Sequence, residues 1–211
     1  MMGGSTGSTS YGWMMGGTSA PGWMRGGSLP ASMMGTSTDA GEVMGRLFAN
    51  APGPRVSSTK ATRLGNDVPT GATMDRSQDR MTLSGASDHL AVLASPSGGS
   101  DETFRIGGMA NPTITVKSGA RISIELVNAD SVAAHGLVVT ANGSASSQMP
   151  MLTAAPAFSG SSLWFLGNPT SAGMHTGMLT FTATKSGTYQ YLCPVPGHAR
   201  DGMVGAFVVA S

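Results

Sequence analysis

The chain has 211 residues, and its 31 Gly and 12 Pro, both poor helix formers, exclude a mainly helical protein. Charged residues make up only 11%, with Lys and Arg (12) nearly balanced by Asp and Glu (11), so nothing in the composition suggests a polyanion-binding surface and nucleic acid is not an expected partner. The single cysteine, Cys193, excludes an internal disulfide framework and any zinc site built on two or more thiolates.

The hydrophobic fraction of 40% supports one core, and a prior of about 150 residues per domain makes one domain plus a tail the expectation. The sequence contains no apolar run of about 18 residues that would cross a membrane as a helix. The start, "MMGGSTGSTSYGW", has neither a basic nor an apolar signal region. That is compatible with a cytoplasmic chain or with an exported one numbered after removal of its signal. Membrane association would have to run through the leader.

Residues 1–38 form that leader, in which 29 positions are Gly, Met, Ser or Thr and Arg25 is the one charge. Such a composition cannot offset its own ordering entropy with a core, so a flexible tether is expected. The leader repeats loosely as "GWMMGG" at 12–17 and "GWMRGG" at 22–27, then "SMMG" at 32–35. Thioethers beside indoles also offer soft sites for Cu(I), which is the alternative reading. Residues 39–80 are expected to be a helix and a linker that wrap the domain beyond. Asp39 as N-cap, Glu42 three residues on, and Val43, Met44, Leu47 and Phe48 at helical spacing predict a helix that "NAPGP" at 50–54 ends. Residues 55–80 read as polar and irregular.

From residue 81 to 211 the hydrophobic period is two. Strands are predicted at 81–83, 89–94, 103–107, 112–116, 121–128, 136–140, 162–166, 178–184, 188–193 and 204–210, between Gly, Pro, Ser and Asn clusters. Ile122, Ile124 and Leu126 share one face, as do Leu179, Phe181 and Ala183, and Tyr189, Tyr191 and Cys193. The pattern is that of an all-β Greek-key sandwich, barrel-like, with antiparallel strands and one short N-terminal helix.

The chemistry concentrates in "YLCPVPGHARDGMVGAFVV" at 191–209, where Cys193, His198 and Met203 are spaced C-x4-H-x4-M across one inter-strand loop. Pro194, Pro196, Gly197 and Gly202 shape its turns. A fourth ligand has to come from elsewhere, and His135 stands where a loop enters the apolar strand at 136–140. Two imidazoles and a thiolate with a weak thioether form the ligand set of a mononuclear blue-copper electron-transfer site. Other readings are open to these residues: Cys193 as a small core residue, or Cys193 and His198 as nucleophile and base. No orienting third group or oxyanion hole is evident for the latter. A binuclear copper centre would need a second cysteine in the loop, where position 197 is Gly. His89 and His175, the latter in the expected hairpin "AGMHTGM", read as solvent-facing or capped. Trp164 and Phe165 read as core, and Met149 and Met151 as filler or a shield over the site.

On these residues the chain resembles the cupredoxins, and among them the rusticyanin and sulfocyanin group. The likeness extends in order through "NPTITVKSGARISIELVNAD" at 111–130, His135, "QMP" at 148–150 and "SGTYQYLCPVPGHARDGMVGAFVV" at 186–209. It covers residues 80–211, and 1–38 lie outside it. The resemblance implies one type 1 copper ion, Cu(I) or Cu(II), held by His135, Cys193, His198 and Met203. It implies a carrier of single electrons rather than an enzyme, working outside the cytoplasm or in the periplasm. Its partners would be redox proteins such as a cytochrome or a terminal oxidase. His198, on an exposed loop, is the expected edge for electron exchange. Two departures from the family pattern stand out. Gly136 follows the first histidine where a hydrogen-bonding side chain is usual, and Arg200 and Asp201 interrupt a segment that is usually neutral. The other function class is copper handling, a chaperone or scavenger loaded through the Met-rich leader.

Overall fold

The computed structural model describes residues 37–96, 102–141 and 144–211; most of the Met- and Gly-rich leader, with its expected soft Cu(I) sites, lies outside the described residues. Helix α1 (Ser37–Leu47) begins two residues before the expected N-cap, so Asp39 falls inside its first turn. Ala40 and Met44 turn inward, at 0% and 1% exposure.

The stretch 55–80 is more ordered than its polarity implies. A two-residue strand β1 (Arg55–Val56) leads into helix α2 (Ser58–Asn66), whose N-cap Ser57 accepts from the Lys60 amide. Ala61 and Gly65 are its buried face, and Gly65 lies so close to Leu93 that an added Cβ would meet that side chain at 3.0 Å. Leu64, partly buried, is the one larger apolar side chain it packs inward, which is why no apolar stripe announces it.

Two sheets follow. Strand β2 (Thr73–Asp75) pairs with β3 (Arg80–Thr82), and the chain crosses to β4 (Ser87–Ala94), β5 (Phe104–Ile106) and β6 (Met109–Ala110). It returns as β7 (Thr113–Lys117), crosses to β8 (Arg121–Asn128), and enters β9 (His135–Thr140). A short helix α3 (Pro150–Thr153) precedes β10 (Ser162–Leu166), β11 (Met174–Thr182), β12 (Gly187–Leu192) and β13 (Val204–Ala210). One sheet has the order β1-β11-β8-β4-β5-β6, the other β10-β9-β12-β13-β7-β3-β2. Both are open, so the molecule is a sandwich and not a closed barrel.

The strands are not all antiparallel. The pairs β4 with β8, β3 with β7, and β7 with β13 run parallel. A chain that steps from one sheet to the other and back brings a later strand beside an earlier one in the same direction, which a hairpin cannot do. The hairpin-type turn expected at 172–178 lies slightly earlier, closed by reciprocal hydrogen bonds between Thr170 and Gly173 at 3.1 Å and 2.9 Å, and β11 already starts at Met174, where Met174 and His175 pair with Val56 and Arg55 of β1.

The period-two faces meet in the core. Ile122, Ile124 and Leu126 are 0 to 1% exposed; Phe181 and Leu179 stand beside Ile122 and Ile124 on the same sheet, and Tyr191 and Phe207 are buried on the other. Phe181 stacks on Phe158 at 5.4 Å and tilts against Phe207 at 5.8 Å. The hydroxyl of Tyr191 donates to the Pro112 carbonyl at 2.7 Å, so this buried phenol is satisfied. Trp164 and Phe165 are core residues, both 3% exposed.

Candidate metal centre

All four side chains singled out in the sequence converge at one pole of the sandwich. His135 opens β9, Cys193 directly follows β12, Met203 directly precedes β13, and His198 lies on the loop between the last two. The loop is closed by its own backbone: the Cys193 amide donates to Met203 at 3.1 Å, and the Met203 amide to His198 at 2.9 Å. Gly197 and Gly202 take φ of +87° and +122°, values that favour glycine at both turns. The Asn111 side chain ties Gly202 to the body of the domain with a 3.0 Å hydrogen bond.

The distances define a small cage. The Nδ1 atoms of His135 and His198 are 3.1 Å apart, and Cys193 Sγ is 3.8 Å and 3.6 Å from them respectively. Met203 Sδ is 3.2 Å from His135 Nδ1. His135, Cys193 and Met203 are 0% exposed and His198 is 2% exposed. There are fewer protons in this cage than atoms to share them, since one proton at most lies between two facing ring nitrogens and neither sulfur is a strong donor. Two nitrogens and two soft sulfurs that face one buried point fit a soft or borderline metal ion.

Electrostatics agree. Burial opposes ionisation of the Cys193 thiol, but charge on His198 and hydrogen bonds from both imidazoles outweigh it and lower its pKa to about 6. Burial likewise opposes charge on His198, yet the Cys193 thiolate and the Glu102 carboxylate raise its pKa to about 10. A thiolate is therefore available at neutral pH, and the cage already accommodates a positive charge.

The surroundings settle both departures in the sequence. Gly136 has no side chain to tie the ligand loops, but its amide donates to Cys193 Sγ at 3.5 Å. A Cβ there would fall 1.9 Å from the Trp164 carbonyl oxygen, so glycine is a steric requirement of the β9–β10 pair. Arg200 donates to Asp201 at 3.2 Å, both at the surface. Of the two methionines read as filler or shield, Met151 is 3% exposed and its amide donates to Pro194 of the ligand loop at 3.0 Å, while Met149 is only partly buried.

One expectation is overturned. His198 is not at an exposed edge, because α1 covers it. A Cβ on Gly41 would lie 2.6 Å from His198 Nε2, and α1 is fastened there by hydrogen bonds from the Ala134 amide to Gly41 and from the Asn168 amide to Gly45, each 3.0 Å. Of the remaining histidines, His89 is exposed, and His175 is buried with Nε2 2.9 Å from the Ala49 carbonyl.

Sequence reasoning missed three polar residues. Asn128, fully buried, donates to the Ala133, Leu166 and Gly167 carbonyls at 3.0 Å each. Asp130 accepts from the Val132 amide at 2.7 Å and sits 2.9 Å from His135 Nε2. Glu102 Oε2 is 2.9 Å from His198 Nδ1. The Asn-x-Asp pair ahead of His135 carries a legible turn signal; nothing local marks Glu102.

A two-sheet Greek-key sandwich with a His, Cys, His and Met pole defines a cupredoxin. The family is given by comparison. Residues 81–211 match the sulfocyanin (SoxE) domain, and the chain belongs to that family. It is 31% identical over 134 residues to rusticyanin of Acidithiobacillus ferrooxidans, covering 63% of this chain and 68% of the relative, and 30% identical to rusticyanin of Acidithiobacillus ferridurans over the same shares. The 1.27 Å structure of rusticyanin from Thiobacillus ferrooxidans superposes with a TM-score of 0.63 at 23% identity, over 74% of this chain and 96% of that one. Another solved structure, titled as that of a copper protein, rusticyanin, gives the same TM-score of 0.63 over 97% of its chain.

Proposed function

We propose that this chain is a blue copper electron carrier whose one ion is held by His135, Cys193, His198 and Met203. The observation that carries the reading is the burial of two Nδ1 atoms 3.1 Å apart within 3.8 Å of a cysteine sulfur. Copper bound there would supply a one-electron couple between Cu(II) and Cu(I).

The protein's part is to make that exchange cost little reorganisation. Three of the four side chains lie on one loop between β12 and β13, locked by the two backbone hydrogen bonds between Cys193, His198 and Met203. The fourth is fixed by β9. Water is excluded by the apolar strands and by α1, which keeps ligand geometry from following solvent. Gly136 and its amide hold Cys193 Sγ in place. No bond in a partner needs to be made or broken, so the chain acts as a carrier and not an enzyme. We further propose that it works outside the cytoplasm, with redox proteins such as a cytochrome or terminal oxidase as donor and acceptor, which is what the family resemblance of its sequence implies.

The test is an absorption and paramagnetic resonance spectrum of the copper-loaded protein. An intense thiolate-to-copper band near ~600 nm is expected from this ligand class, and Cys193→Ser should abolish it. Retention of the band in that variant would refute the assignment.

A further inference from the structure

We infer that Asp130 is a positioning residue for the metal centre: it holds the proton of His135 on Nε2, leaves Nδ1 to face the metal, and biases the couple toward the oxidised ion. The inference rests on the copper reading above and goes beyond its ligand set.

The geometry is specific. His135 is fully buried, and its Nε2 is 2.9 Å from Asp130 Oδ2, while its Nδ1 faces Cys193, His198 and Met203. An imidazole that ligates through one nitrogen has its tautomer set by what accepts from the other. Asp130 is itself held rigidly. Its second oxygen, Oδ1, accepts from the Val132 amide at 2.7 Å, and its own amide donates to Asn128 Oδ1 at 2.9 Å. Asn128 is pinned by three carbonyl acceptors in turn, two of them at the end of β10 and just beyond it, Leu166 and Gly167. The relay from sheet to carboxylate to imidazole therefore has little freedom to turn.

A backbone carbonyl in the same place would fix the tautomer equally well. A carboxylate adds a negative charge next to a buried ligand, where the low dielectric strengthens its effect. That charge favours the more positive oxidation state and lowers the reduction potential. The chain has only 11 acidic residues, and spends one of them on a half-buried site against a metal-facing histidine.

Asp130→Asn separates the two roles, because the amide oxygen still accepts from Nε2–H but the charge is gone. Asp130→Ala removes both. In Asp130→Asn, the blue band should persist while the Cu(II)/Cu(I) ratio at a fixed applied potential falls by about tenfold, a rise of 59 mV for a one-electron couple. In the metal-free and Cu(I)-loaded proteins, proton NMR should show a slowly exchanging His135 Nε2–H in wild type and in Asp130→Asn. It should be lost in Asp130→Ala. An unchanged midpoint in both variants, or an unchanged Nε2–H in Asp130→Ala, overturns the inference. Absence of the blue band in wild type would instead refute the copper reading, and the metal-free NMR arm would still decide the role of Asp130.

Discussion

The two sheets divide the work unequally. The seven-stranded sheet supplies every metal-facing side chain: β9 begins with His135, and β12 and β13 frame the loop of Cys193, His198 and Met203. The six-stranded sheet supplies none of these four; the connection between its β4 and β5 brings Glu102 Oε2 to 2.9 Å from His198 Nδ1, and its β8 and β11 strands bury Ile122, Ile124, Leu126, Leu179 and Phe181 behind that site. One sheet carries chemistry on its rim, and the other holds it still by filling the core. A change in either should thus be read by a different instrument.

The sharpest break is Cys193→Ser, which should remove the visible band completely while thermal unfolding remains cooperative. Next comes Phe181→Ala in β11, at the pole away from Cys193, where a fully packed ring is lost from between Phe158 and Phe207. It should cost about 3–5 kcal/mol in denaturant unfolding and leave the spectrum of the folded fraction unchanged. If colour shifts with stability, the division between sheets fails. Gly136→Ala falls between the two classes. The overlap with the Trp164 carbonyl should cost about 1–3 kcal/mol and also perturb the band, because the same glycine's amide reaches Cys193 Sγ. Met203→Leu should keep copper bound and raise the potential, since the thioether that favours Cu(II) is removed; a lower or unchanged potential contradicts a ligand role for Met203.

The smallest effect belongs to His175 of β11. Burial lowers its pKa, the nearby Arg55 charge adds to this, and the hydrogen bond to Ala49 only partly opposes them. The folded chain therefore takes up this proton less readily than the unfolded one, and the associated stability is complete above about pH 6.5 and lost as pH falls below it. Unfolding of wild type and His175→Gln between pH 7 and 5 should differ by a small, pH-dependent increment. Parallel curves would show that His175 carries none of the acid sensitivity.

Much of this was legible in the residues themselves. Period-two alternation placed β8, β12 and β13 because each has one buried and one wetter face, and the C-x4-H-x4-M spacing located three of the four cage residues. His135 followed from its position at the start of an apolar strand. Helix α2 was hidden because Ala61, Leu64 and Gly65 offer one larger apolar side chain between two small residues, too little to print a stripe. The parallel pairs were hidden because strand direction depends on crossings between sheets, which leave no local pattern. Asp130 lies only five positions before His135 and its turn was legible, whereas Glu102 meets its histidine only through long-range folding: it is 96 positions from His198 in sequence, yet 2.9 Å away in space.

The seat of α1 on His198 has an electrical meaning. Electron tunnelling weakens steeply with distance, and a helix with its side chains is ~10 Å across. For the electron carrier proposed above, a protein approaching over α1 would therefore face an insulated terminal where a bare imidazole edge would have been a contact. The conductance of that face is set by whether eleven residues stay in place, and Gly41, by having no side chain, is what lets them lie flush against the ring.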